Sequence, residues 1–570
     1  MKAILLLPTK LAMFLVAFGF VTAPTRAGEA VTWAAASEPA CRVPLYDKTH
    51  PPATPNLEDL SLRPSVSQYG ITWTFDKPAR VGQFINGDYY VVGPVTVTLI
   101  DPKPLWGDEI KETINKDAVR EGNYPGRQAR NGSMLNPRCD HKNQQGYREC
   151  AGFDSRIPHD RYAPELFAHL PIRMKPGDAL VSTISRANDQ ITKFGGQHVD
   201  PLRTAAVLTC LADPQPPDAF RPSYCDTAHS KVYLARNLRR ELLLKLPKPR
   251  SAPPQIDAYR VASNGDKLPR GPSALFNAPN YVAAVQRPWL DIVEFGFAAP
   301  VENLPHYGQD LVTQVGDASL LLHMDYPAEE KERLLVPFIQ VGIDFWGLAR
   351  AGRSWPCHGG LNSGRKWPIV FAGLMLDAPE MQSPTKVLPK LHFHEDDQTA
   401  MCPYPYRGKV HERGWTGAKA IFTGHSLPRG GAAGNWEDGW GCVDLYPPTE
   451  WPRLKPDRAP ASEGYRRANT SNSWIGQALA VRLMHAEKVW DHDAFFAYVD
   501  RWMTEDDTPF VEAIRNAGGM DWTKAKRGEF GRQGYVMQAK FVREMWDAWR
   551  NALPPAPDGH EDPRAEETWK

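Results

Sequence analysis

The chain has 570 residues, enough for more than one domain and at least one large core. Its 67 Lys and Arg nearly cancel its 66 Asp and Glu. The resulting +1 gives no global field to attract nucleic acid or a membrane surface, so neither partner is expected and any electrostatic selectivity must be local.

The first element is a secretory signal. Lys2 and Lys10 supply positive charge, residues 11–21 form a short apolar run, and Thr25-Arg26-Ala27 offers small residues at the cleavage spacing. Residues 1–27 are therefore read as a signal peptide, which sends the mature chain to the periplasm or the extracellular space. No later stretch is apolar enough for a membrane span. In such an oxidising compartment the eight cysteines permit disulfides, with Cys139–Cys150 and Cys210–Cys225 as the local pairs.

The amino-terminal half has the period of β-structure. Tyr69, Ile71, Trp73 and Phe75 alternate with Gly70, Thr72, Thr74 and Asp76, which predicts a half-buried strand. Asn86-Gly87-Asp88 marks a turn, and strands are expected at 89–92, 95–99, 179–184 and 204–211. The polar stretch 101–171 reads as a long insertion. Together these give a β-sandwich-like domain over residues 28–270, closing after the proline-rich stretch 246–254.

From about residue 279 the period becomes helical. Leu311, Val315, Ala318 and Leu322 share one face, and Leu334, Phe338, Val341, Phe345 and Leu348 repeat at spacings of four and three. The second helix is apolar nearly all round and should be buried, with a kink at Pro337. Further helices are expected at 366–377, 474–484, 494–502 and 535–549. The fold class is thus α+β and multidomain, with a helical domain over 271–553 and a loose tail over 554–570. The span 378–472 is long for a connection between helices, and such loops are commonly functional.

Three loop segments carry the candidate chemistry. In the first, 353–368, His358, Asn362, Ser363, Arg365 and Lys366 lie between Trp355 and Trp367, at the start of a buried helix where unpaired N–H groups favour an anion. The two tryptophans suit stacking against a sugar. The second holds His392, His394, Glu395, Asp396 and Asp397. This is the chain's candidate set for a divalent cation, but the i,i+2 histidine spacing and the absence of H-E-x-x-H argue against one, and no cofactor is expected. The third combines His425 and 435–444 with Tyr465, Arg466, Arg467 and Asn469.

Export, abundant Trp, a β domain joined to paired helices and polar loops at helix starts resemble the α/α-toroid carbohydrate-active enzymes, which include polysaccharide lyases and glycosidases. The resemblance rests on 353–368 and 465–472 and covers the last half of the chain. It implies β-elimination on a uronate-containing polysaccharide. Asn362, Arg365, Arg467 and Asn469 would bind or neutralise the carboxylate, His358 or His425 would take the adjacent proton, and Tyr465 would protonate the leaving oxygen or serve as shared acid and base. His394 is a further substrate contact. A glycoside hydrolase would instead use a carboxylate pair drawn from Glu395, Asp397, Glu437 and Asp438. A non-catalytic glycan-binding protein would need only the tryptophans and donors.

Overall fold

A computed structural model describes residues 44–110, 126–142, 150–157, 161–188, 201–258, 280–293, 301–305, 307–425, 436–456, 460–519 and 539–555, with 191, 193–194, 197–198 and 278. Residues 1–27, read above as a signal segment, Cys41, Tyr535 and the chain from 556 onward lie outside these residues.

The amino-terminal half forms one eight-stranded sheet. Its strands are β1 (Ser61–Gln68), β2 (Ile71–Gln83), β3 (Tyr89–Val92), β4 (Val95–Asp101), β5 (Ser133–Leu135), β6 (Ile172–Met174), β7 (Ala179–Ser185) and β8 (Leu202–Leu211). Their spatial order is β5-β7-β8-β3-β2-β4-β6, with β1 also paired to β2. The ladders are antiparallel except for β8 against β3.

Two local readings are corrected. Tyr69 and Gly70 are not strand residues; with φ of 51° and 79° they form the two-residue turn between β1 and β2, where Gln68 pairs with Ile71. Leu99 is 52 % exposed although Val97 is fully buried. Thr74 pairs with Leu99 while Phe75 pairs with Val97, so an irregularity at Thr98 resets the alternation and sends Ile100 inward instead.

Ile71, Trp73 and Phe75 pack with Val97, Ile100, Leu180, Ala206 and Leu208 on one face of the sheet. Val181, Ala205 and Val207 point the other way, into the core shared with the helices. β8 is buried on both faces, which explains its nearly continuous apolar run. Arg221 ties the two layers together. Its Nε donates to Asp88 beside β3 (2.5 Å), and its Nη2 donates to Asp344 on a helix (2.6 Å).

The expected helices form. They are α1 (Gly308–Leu322), α2 (Ala328–Arg350), α3 (Lys366–Met375) and, after the unexpected short α4 (Ala461–Tyr465), α5 (Ile475–Leu483), α6 (Asp493–Thr504) and α7 (Lys540–Trp549). α3 packs on α2, α1 on α5, and α5 on α6 and α7. Residues 334–349 of α2 are all buried, and the helix runs through Pro337 without a break. None of the helices among the described residues is long and apolar enough to cross a membrane. The span 378–472 is not structureless. It holds short helices and two small antiparallel β pairs, Thr399–Met401 with Ala420–Phe422 and Tyr404–Tyr406 with Lys409–His411.

The seven described cysteines are free thiols, so neither expected pair forms. Cys210 lies on β8 packed against Gly93, whereas Cys225 donates to the Pro137 carbonyl (3.0 Å) and neighbours Cys139.

Candidate functional site

Four backbone segments are drawn together at one point. Gly359 N–H donates to the His425 carbonyl (2.8 Å), and Gln309 N–H, at the start of α1, donates to the Gly360 carbonyl (2.8 Å). The side chain of Gln398 clamps the same junction, its Nε2 donating to the carbonyls of Gly359 (2.9 Å) and His425 (3.0 Å). Ser462 on α4 joins from the other side: its Oγ accepts from His425 N–H (3.0 Å), and its own N–H donates to Gly439 (2.9 Å).

This backbone frame brings three of the predicted residues together. His425 meets Tyr465 edge to face, ring centroids 4.1 Å apart, and meets His358 at 5.8 Å. Trp440 closes another side of His425, at 4.0 Å. His358 is exposed, Tyr465 and Trp440 are half-buried, and His425 is buried, so the group reaches the surface with His425 at its base. Burial, followed by the charges of His358 and His394, holds the His425 imidazole well below its ordinary pKa. His425 is therefore neutral near pH 7 and has a lone pair available.

Gly359 makes this packing geometry attainable. Its φ is +59°, and a Cβ there would stand 2.8 Å from both His425 Nε2 and Tyr465 Cε1. Beyond Tyr465 the chain enters a π-turn, Arg466–Thr470, before α5. Such turns often mark functional positions in helices, because the widened ring re-aims side chains. Asn469 sits on this turn, 7 % exposed, with its carbonyl against Gly360.

The other predicted residues serve the scaffold. Arg365 is buried, with Nε donating to Asp291 (3.0 Å) and Nη1 donating to the carbonyls of Leu361 (2.9 Å) and Ser363 (3.0 Å). Arg467 is held by Glu463 and by Asp507 (2.6 Å), over the Phe510 ring. Lys366 donates to Asp396 (2.5 Å). These cations were expected at a substrate anion; buried Asp291 and Glu463 and half-buried Asp396 and Asp507 take them instead. Trp355 and Trp367 are wholly buried and cannot stack on a sugar. Their indoles donate to Asp291 (2.8 Å) and Ser319 (2.9 Å). Asn362 donates to the Pro356 carbonyl (2.8 Å) and shapes its own loop.

His394 is wholly buried beneath the loop, with Nδ1 3.4 Å from the His358 N–H. Burial, reinforced by Arg365, lowers its pKa to about 3. Its partner in the sequence pattern, His392, is exposed and pairs with Asp397 (3.2 Å). Among the described residues no three His, Cys, Asp or Glu side chains are grouped to hold a metal.

The carboxylates named for hydrolysis are each engaged elsewhere. Glu395 is sealed in the core, where Gly364 N–H (2.6 Å) and Gln477 (3.1 Å) donate to it and burial raises its pKa. Asp397 accepts from Cys357 N–H (3.1 Å), Asp438 accepts from Arg453 (2.5 Å), and Glu437 is exposed near Arg407.

Sequence reasoning missed Tyr307 and Gln398, and took in Trp440 only as part of the 435–444 stretch. Tyr307 precedes α1 and is buried among these groups. Only the density of polar residues inside otherwise apolar flanks could have flagged Gln398. No family model, curated protein or solved structure matches the chain.

Proposed function

We propose that this protein is a carbon–oxygen lyase that cleaves an acidic, uronate-containing polysaccharide by β-elimination, on an α/α-toroid-like helical domain behind a β-sandwich-like one. The observation that carries the reading is the His425–Tyr465 edge contact at 4.1 Å, with the buried, neutral imidazole next to exposed His358.

The chemistry follows from the residue types. A proton beside a carboxylate becomes acidic only when the charge developing on that carboxylate is met by fixed donors. Asn469 and His358 are the donors here, since the nearby guanidinium groups are committed to buried acids. His425 takes the proton as a neutral base, and Tyr465 gives its phenolic proton to the departing glycosidic oxygen. Trp440, half-exposed beside His425, offers a face for a sugar ring. The substrate is met outside the cytoplasm, in keeping with the signal segment.

The test is ultraviolet absorbance of the unsaturated uronate end against a panel of polyuronates. Release of reducing ends without that absorbance would eliminate the lyase and favour hydrolysis. Tight binding of oligosaccharide with no cleavage would favour a glycan-binding protein.

A further inference from the structure

Glu395 and Gln477, both wholly buried, meet behind the site loop. Glu395 lies on the short helix His394–Asp397, and Gln398, which clamps the Gly359 and His425 carbonyls, caps that helix. Gln477 comes from α5. Three groups donate to one and the same carboxyl oxygen, Glu395 Oε1: Gly364 N–H (2.6 Å), Gln477 Nε2 (3.1 Å) and Ser363 Oγ (3.3 Å). The Ser363 hydroxyl also accepts from the indole of Trp474, just before α5 (2.9 Å).

The other half of this joint does not balance. Glu395 Oε2 and the Gln477 amide oxygen are buried, and neither has a hydrogen-bond partner among the described residues. With the acid ionised, both are acceptors and neither can serve the other. A buried acceptor without a donor loses its hydration for nothing, and a bare carboxylate oxygen loses more because it holds charge. The charged groups around Glu395 do not relieve it. Lys366 is held by Asp396 (2.5 Å), Arg365 by Asp291 (3.0 Å), His394 is neutral, and Asp397 accepts from Cys357 N–H (3.1 Å). From α5 the facing group is the uncharged Gln477. Burial, with Asp396 adding to it, raises the Glu395 pKa. Carboxyl and amide heads are planar and of nearly equal size, so a first bond between them brings their second oxygens to facing edges when the planes align. One proton there satisfies both oxygens.

We propose that Glu395 is a neutral carboxylic acid in the folded protein, donating its Oε2 proton to the Gln477 amide oxygen in a two-bonded acid–amide ring, and that this ring positions the site loop on α5. Glu395 is then a positioning residue. It acts through Ser363 and Gly364 on the loop and through Gln398 one turn further on. The inference stands apart from the lyase reading, since the ring holds the loop whatever the loop binds.

The experiment is the infrared spectrum of the full chain at neutral pH, wild type minus Glu395→Gln. Ionised carboxylates do not absorb where the C=O stretch of a protonated carboxylic acid falls, so the difference should show one acid band lost with Glu395. A carboxylate band lost in its place would overturn the proposal, as it would if buried water met Oε2. Thermal melts of the same pair give the sign. A group whose folded pKa is raised contributes fully at low pH and loses that contribution as pH rises through the folded value. Gln cannot ionise, and its amide N–H replaces the acid proton. The Tm of Glu395→Gln relative to wild type should therefore climb between about pH 4 and about pH 8, and a relative Tm that falls instead would contradict a neutral acid. Should Glu395→Gln fail to fold, wild type carrying carboxyl-labelled glutamate is compared with Gln477→Met. A label-shifted acid band should be present and should move when the amide is removed; an absent or unmoved band would rule out the ring.

Discussion

Gly359→Ala separates local backbone strain from site geometry. Two costs are expected at this position. The first is the left-handed backbone, φ +59°, worth about 1 to 2 kcal/mol for a residue with a Cβ. The second is steric. The new methyl would sit 2.8 Å from His425 Nε2 and Tyr465 Cε1, well inside van der Waals contact, so both rings must retreat by a few tenths of an ångström or more. Gly408→Ala supplies the control: φ is +73° there, and nothing lies within 4 Å of the added methyl. Both variants should lose a similar increment of stability in denaturant melts, with Gly359→Ala losing somewhat more. Only Gly359→Ala should lose turnover, by about 100-fold, as misplacement approaching an ångström does elsewhere. The assay is initial elimination rate at saturating polyuronate, with Tm recorded alongside. Equal turnover in the two variants would refute the claim that contact between His425 and Tyr465 matters for the reaction.

Three further outcomes are expected. Arg365→Gln leaves Asp291 buried with a weakened partner and should cost about 3 kcal/mol in a guanidinium melt, while the folded variant keeps the KM of the proposed elimination; a raised KM at unchanged stability would return Arg365 to the substrate. Trp355→Ala should cost about 3 to 5 kcal/mol in a urea melt because it empties a wholly buried site; a stable variant with weakened glycan binding would contradict its burial. His394 is neutral in the fold, with a pKa of about 3 against an unfolded value of about 6.5, so its contribution is present above the unfolded pKa and is lost as pH falls below it. At pH 4.5 that loss is about 3 kcal/mol, and His394→Gln should flatten the acid side of the stability profile by up to this amount; parallel profiles would show that His394 is not held neutral.

Periodicity made the helices legible because each buries a continuous apolar stripe. Leu311 to Leu322 and Leu334 to Leu348 lie inside α1 and α2 as expected, and α2 is buried along the length its all-round apolarity required. The strands were legible where one alternation held, as at Ile71, Trp73 and Phe75. They were not where a turn or a bulge broke the period: Tyr69-Gly70 and Leu99 both looked like strand interior, and only the backbone reversal and the slip at Thr98 distinguish them. β1 was missed because Pro64 interrupts it, and the ladder shifts there between Arg63 and Ser65.

The site was half legible for a reason of electrostatics. A loop rich in His, Arg, Asn and Trp signals convergent chemistry, but local sequence cannot say which of those side chains have distant acids waiting for them. Asp291 lies 74 residues from Arg365, and Asp507 lies 40 from Arg467, so neither pairing leaves a short-range signal; only Glu463, at i,i+4 to Arg467, was within local reach. Histidine and tyrosine differ: neutral when buried, they need no counter-ion, and they can line an opening without being consumed by the scaffold. Thus His425 and Tyr465 meet where the arginines beside them do not. The same logic bears on the substrate. With guanidinium groups spent on the core, the proposed scheme leaves Asn469 and His358 to meet a carboxylate. Replacing His358 by Ala should then weaken polyuronate binding in the folded protein more than Arg365→Gln does, and the reverse order would return the guanidinium to the substrate.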